Sequence, residues 1–148
     1  MGEGDIKSNL EKKVKKLRLE TKIHFLGRLP FEEMMNKTKS AKLAISIDKA
    51  TNGNYAISLP NKIFEYIACS VPVLVSPLQE IKLIVEKHKT GEFLSSYNPQ
   101  ELAKQITNLL NDERKLDLIA ENCKKAAKEL CWENEEIQIF KTIKNLEK

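Results

Sequence analysis

The chain has 148 residues, 41% of them apolar and 31% charged, the make-up of a globular domain large enough for a core and unlike that of a disordered or fibrous chain. Net charge is +4, from 25 basic and 21 acidic residues with the signs interleaved; that argues against a nucleic-acid partner and suits an anionic nucleotide or an anionic membrane face equally. No apolar run approaches the ~20 residues of a membrane helix, and no leader pattern opens the chain, so the expected address is the cytoplasm, with the inner face of the membrane as an alternative.

In chain order, Gly2-Glu3-Gly4 turns into a helix carrying Ile6, Leu10, Val14 and Leu17 on one side. Lys12, Lys13, Lys15 and Lys16 fall between those positions and read as a solvated face. Lys22 to Gly27 reads as a strand with His24 packed inside it, followed by a turn over Arg28, Leu29 and Pro30. Phe31, Met34, Met35, Thr38 and Ala41 have the spacing of a short helix, the methionines filling core. Lys42 to Asp48 is the next strand, and Asn52-Gly53-Asn54 marks the loop behind it, Lys49 to Tyr55, as turn-rich and mobile.

The stretch LPNKIFEYIACSVPVLVS, Leu59 to Ser76, organises the rest. Leu59-Pro60 puts a proline where a helix starts without losing a hydrogen bond, Ile63, Phe64, Ile67 and Ala68 give one apolar face, and Val71 to Val75 suits a strand covered on both faces. Asn61, Lys62 and Glu65 are left unexplained by packing. A helix N-terminus offers free N–H groups and the positive end of its dipole to phosphate, and Lys62 adds a full charge there. Glu65, one turn after Asn61 on the same side, has the reach to accept from paired sugar hydroxyls. The plain alternative is an amphipathic helix with a wet polar side.

Further on, Glu80 to Lys89 is a helix on Ile81, Ile84 and Val85 ended by Gly91, with His88 in its last turn where a cation suits the dipole; Phe93-Leu94 is a short strand. Asn98-Pro99-Gln100-Glu101 opens a helix carrying Leu102, Ile106 and Leu109. Two more helices follow, one on Leu116, Ile119, Cys123, Ala126 and Leu130, the other on Ile137, Phe140 and Ile143, with Trp132 between them. The three cysteines, Cys69, Cys123 and Cys131, lack metal-ligand spacing and read as small apolar residues or free thiols. Strands centred on Phe25, Ile45, Val73 and Phe93, alternating with helices, make an α/β domain with a mainly parallel sheet.

LPNKIFEYIACSVPVLVS resembles the donor-site segment of GT-B glycosyltransferases, specifically the family 4 (group 1) retaining enzymes. The resemblance covers nearly the whole chain. It implies a Rossmann-like, partial C-terminal donor domain over residues 1–148 with a helical C-terminus. It implies a nucleoside diphosphate sugar as partner, transfer of its sugar to an acceptor hydroxyl with retained configuration, and no metal or other cofactor. By the same resemblance Glu65 binds ribose, Ser58, Leu59, Pro60, Asn61 and Lys62 line the diphosphate side, and Gly27, Arg28 and Leu29 meet the base. No catalytic residue is assigned.

The Gly2–Gly4 turn then stands where the family's second strand ends, so the two central strands of its 3-2-1-4-5-6 order and the N-terminal acceptor-binding domain are expected to be missing. The helix after Trp132 would cross onto that domain in the family, and the fragment alone would have little or no activity. Two positions depart from the family pattern. Ile57 stands where many members carry a glutamate that contacts the transferred sugar, and Ser70 replaces a glycine, so a left-handed backbone there would carry strain. Two other readings remain: a receiver-like signalling domain with Asp48 as phospho-acceptor, and a non-catalytic nucleotide-binding or scaffold protein.

Overall fold

The computed structural model describes residues 2–146; Met1, which begins the opening turn, and Glu147 and Lys148 lie outside the described residues. The chain divides into two compact units, Met1–Lys37 and Thr38–Lys148.

In the first unit Gly2 takes φ 126°, a conformation suited to glycine, and donates its N–H to the Gly27 carbonyl at 2.7 Å. Helix α1 (Lys7–Lys16) has no buried residue. Its four central lysines are all exposed, as a solvated face requires. Helix α2 (Phe31–Lys39) begins here, with Glu32 and Glu33 in its first turn where the dipole favours acids, and Met34 and Met35 half-buried.

The expected strand at Lys22 to Gly27 does not form. Lys22 and Ile23 both donate to the Leu19 carbonyl at 2.9 Å, a local turn, and Gly27 bends away at φ 64°. A strand exists only by pairing, and no described segment of this unit lies alongside it as a strand, so its alternating residues stay exposed. His24 is exposed with them, against the expectation that it packs inside.

The second unit holds a three-stranded, fully parallel sheet in the order β1 (Ala44–Ser46), β2 (Val73–Val75), β3 (Gly91–Phe93). This is the sequential half of a Rossmann-like order. Between the strands come α3 (Gly53–Ala56), α4 (Asn61–Ala68) and α5 (Gln79–His88); after them follow α6 (Pro99–Asn111), α7 (Glu113–Glu129) and α8 (Trp132–Leu146). The loop read over Lys49 to Tyr55 is thus partly helical: the Asn52 side chain accepts from the Tyr55 N–H at 3.0 Å and caps α3.

Right-handed crossovers that step along a sheet in one direction put their helices on one face, which places α4 and α5 together. Helix α7 packs against both. The core sits there: Ile63, Ile67, Val73, Leu74, Val75, Ile81, Val85 and Cys123 are at most 1% exposed. The all-apolar run predicted a strand covered on both faces, and β2 is that strand.

Cys123 locks this face. Its Sγ lies 3.4 Å from the Thr90 carbonyl and 3.6 Å from the Val71 carbonyl, and burial pushes its thiol pKa up to about 12. Burial also raises Cys69, against a smaller opposing pull from Lys39. A thiol reagent at about pH 8 is therefore expected to modify Cys131 alone in the native chain, with Cys69 and Cys123 reacting only after denaturation. Rapid reaction of all three under native conditions would contradict this packing.

Ser70 adopts the left-handed backbone that glycine would take freely, at φ 59°. The Val71 N–H donates to the Tyr66 carbonyl at 3.0 Å and the Ser70 N–H to the Ile67 carbonyl at 2.9 Å, which is the bonding of a Schellman end to α4. Ser70→Gly is expected to raise stability by about 0.5–1 kcal/mol, the relief of a left-handed Cβ less the flexibility glycine adds to the unfolded chain. Chemical denaturation with an unchanged m-value checks it.

At the end of α5 the left-handed residue is Lys89, at φ 52°, two positions before the glycine read as the helix stop. Gly91 serves a different purpose, discussed below. His88 tucks its ring in, at 6% exposure, with Nδ1 3.8 Å from Glu129 on α7. Helix α8 buries no residue, and Trp132, Ile137, Phe140 and Ile143 are exposed along it.

Candidate functional site

In a parallel sheet every strand ends at the same edge, and the loops leaving that edge form the natural crevice. In the second unit this edge gathers Ser46 at the end of β1 and Asp48 after it, Ser76 after β2, and the Ser95 to Tyr97 loop after β3. Helix α4 starts in the crossover that leaves β1. Its entry is extended, with Pro60 at φ −73° and ψ 138°, so the proline sits one position before the first helical residue instead of at it. No side chain caps this end and no acid lies in the first turn, whereas Asn98 caps α6 and Asp112 caps α7. Ile63 donates back to the Pro60 carbonyl at 3.0 Å.

Lys62, in that first turn, reaches the strand edge. Its Nζ stands 3.1 Å from Asp48 Oδ2 and 3.4 Å from Oδ1. The Asp48 carboxylate is held from beneath by the buried Ser46, whose hydroxyl donates to Oδ2 at 2.8 Å. Its main chain is held from the other side of the edge, where the Tyr97 hydroxyl donates to the Asp48 carbonyl at 2.9 Å. Lys49 Nζ lies 5.3 Å from the centre of the Tyr97 ring, within range of a cation–π contact. Ser76 donates its N–H to the Ser46 carbonyl at 3.1 Å, and its buried hydroxyl has no partner among the described residues.

Glu65, one turn beyond, is half-exposed, and no ion pair or hydrogen bond engages its carboxylate among the described residues. Its charge is felt next door: Tyr66 has its phenol pKa raised, first by burial, then by Glu65 and Asp48. Ser58, Leu59 and Pro60 are half-buried along the approach to α4, and Ile57 is 60% exposed. Gly27, Arg28 and Leu29 lie in the first unit, Arg28 exposed and the other two half-buried. A groove of about 530 Å³ elsewhere in the second unit, among Glu92, Ser95, Gln105, Asp112 and Lys115, contains none of the residues assigned from sequence.

Sequence reasoning missed the tie between Asp48 and Lys62 and the part played by Ser46 and Tyr97. Asp48 was legible as a polar residue ending an apolar strand. Tyr97 was legible only as an aromatic in a polar loop after the last strand, and nothing local pairs it with a residue 49 positions earlier.

This parallel β-α-β-α-β arrangement with flanking helices is the fold of the C-terminal Rossmann-like domain of GT-B glycosyltransferases. A structural match to sucrose-phosphate synthase of Thermosynechococcus elongatus, at TM-score 0.78 and 20% identity, covers 97% of this chain and 35% of that one. The chain belongs to the family of glycosyl transferases group 1, whose pattern matches residues 1–130. Among its relatives are an uncharacterized glycosyltransferase of Methanocaldococcus jannaschii, 26% identical over 133 residues that cover 90% of this chain and 36% of the relative. Another is the chitobiosyldiphosphodolichol beta-mannosyltransferase of Candida albicans, 27% identical over 145 residues that cover 96% of this chain and 31% of the relative. The chain thus spans about a third of the length of these curated relatives. Family membership sets the receiver-like reading aside. No described helix is long and apolar enough to cross a membrane.

Proposed function

We propose that this chain is the donor-binding part of a retaining glycosyltransferase that moves a hexose from a nucleoside diphosphate sugar to an acceptor hydroxyl. The observation that carries the reading is the uncapped start of α4 with Lys62 at the carboxyl edge of the parallel sheet. Free N–H groups of Asn61 and Lys62, the helix dipole and the ammonium together suit a diphosphate. Glu65 holds the ribose, and Ser58, Leu59 and Pro60 shape the diphosphate turn.

The same groups assist chemistry. Breaking the sugar–phosphate bond builds negative charge on the leaving diphosphate, and fixed donors aimed at that charge lower the barrier without reorganising. Acceptor binding falls to a separate acceptor-binding domain, so this chain by itself binds donor without turning it over. We place the protein in the cytoplasm, with the inner face of the membrane as the alternative.

Isothermal titration with uridine and guanosine diphosphates and their sugar conjugates tests the proposal. Saturable binding in the micromolar-to-millimolar range is expected, stronger for diphosphate than for the bare nucleoside. Failure of every nucleoside diphosphate to bind would overturn it.

A further inference from the structure

The carboxylate on Lys62 has no part in the proposed binding of a donor, and its placement needs explaining. Both oxygens of Asp48 face the ammonium, at 3.1 and 3.4 Å, beside the helix end proposed to receive a diphosphate. An acid there opposes an incoming anion. Yet Asp48 is anchored independently of Lys62, by the buried Ser46 hydroxyl on its carboxylate and the Tyr97 hydroxyl on its carbonyl. It stays in place when the lysine moves. The lysine, on a flexible four-carbon stem with three donors, is the mobile partner.

Resting on the donor-site reading, we propose that Asp48 is an internal counter-anion that occupies Lys62 until a diphosphate takes the ammonium over. The exchange is cheap. Half-exposed ion pairs contribute little, and the side chains of Lys62 and Asp48 are 38% and 25% exposed, so the pair yields to a ligand of greater charge. Attraction to Lys62 and repulsion from Asp48 both grow with the charge of the ligand, so Asp48 tempers the binding of the most highly charged anion most. Asp48 therefore lowers affinity for every anion and keeps Lys62 compensated while no diphosphate is bound.

Asp48→Asn keeps the size and an acceptor for Ser46 while removing the charge. Titrated with inorganic pyrophosphate and with uridine diphosphate, it is expected to bind each about three- to tenfold more tightly than the wild type in low salt. The gain should shrink as salt is raised and be smaller in a Lys62→Ala background, where only the repulsion from Asp48 is relieved. Discrimination of pyrophosphate over orthophosphate should rise in Asp48→Asn, because the charge removed repels the more highly charged ligand more.

In the wild type, the side-chain NMR signals of Lys62 should shift with pyrophosphate while those of exposed Lys12 and Lys16 stay still, a readout that needs no variant to fold. Unchanged or weaker pyrophosphate binding by Asp48→Asn, with the wild type binding diphosphate and Glu65→Ala impaired, would overturn this inference and leave the donor site standing. A stationary Lys62 signal at saturating pyrophosphate would overturn it as well. No binding of any diphosphate by wild type would remove both.

Discussion

Glu65→Ala is expected to weaken the binding of a nucleoside diphosphate by roughly tenfold to a hundredfold, about 1.4–2.8 kcal/mol, as for loss of a hydrogen bond to a charged group. The loss should appear with ribose-bearing ligands and be absent with inorganic pyrophosphate, because the carboxylate is assigned to the sugar hydroxyls and not to phosphate. The variant is a clean one. Glu65 is half-exposed near the middle of α4, its carboxylate engages no described residue, and alanine is the better helix former, so the fold has nothing to lose. Tyr66 supplies an internal check: Glu65 ranks second to burial in raising its phenol, so the tyrosine should titrate at lower pH in the variant. Equal affinity of variant and wild type for uridine and guanosine diphosphates would remove the ribose assignment.

Gly91→Ala should cost about 3 kcal/mol of stability, the largest effect we expect of a single methyl group in this chain. In β3, Gly91 is paired with Val73 of the central strand, and a Cβ placed on Gly91 would collide with the Val73 carbonyl and press on its side chain. The obstacle is mostly backbone, held by bonds on both sides: the Ala44 N–H donates to the Pro72 carbonyl and the Val73 N–H to the Thr90 carbonyl. Relief would require β2 and β3 to move apart in the most buried part of the sheet. Equilibrium denaturation should show a lowered midpoint at unchanged m-value, with Gly53→Ala, where a Cβ meets nothing, as the control of small effect. A fully stable Gly91→Ala would mean that the two strands do not approach as closely as described.

These two positions show how far the sequence could be read. Glu65 was legible because a helix repeats every 3.6 residues, so Asn61, Lys62 and Glu65 could be placed on a turn from spacing alone. The glycine at 91 was legible as a helix stop but not for its purpose, which depends on the width of a gap between strands nearly twenty residues apart. The left-handed residue is Lys89, which directly follows the helix, while Gly91 pairs in β3.

The stretch at Lys22 to Gly27 carries a strand-like pattern, and the pattern alone was read as a strand. Pairing decides that, and pairing is not a local property. At Asp48 the failure was of another kind: strand end and polar residue were both visible, but the partner 14 positions on was read as bound to phosphate and not to the aspartate.

Local chemistry in the chain determined the longer helices, where the buried strand runs, and that the start of α4 would be positively charged, because periodicity, proline placement and residue charge act within a few residues. Tertiary structure alone decided that Lys62 meets Asp48, that Tyr97 closes the edge and that Gly91 admits no side chain. Each of those depends on two segments distant in sequence arriving within van der Waals or hydrogen-bond range, and only the packing of the sheet against α4, α5 and α7 sets that distance.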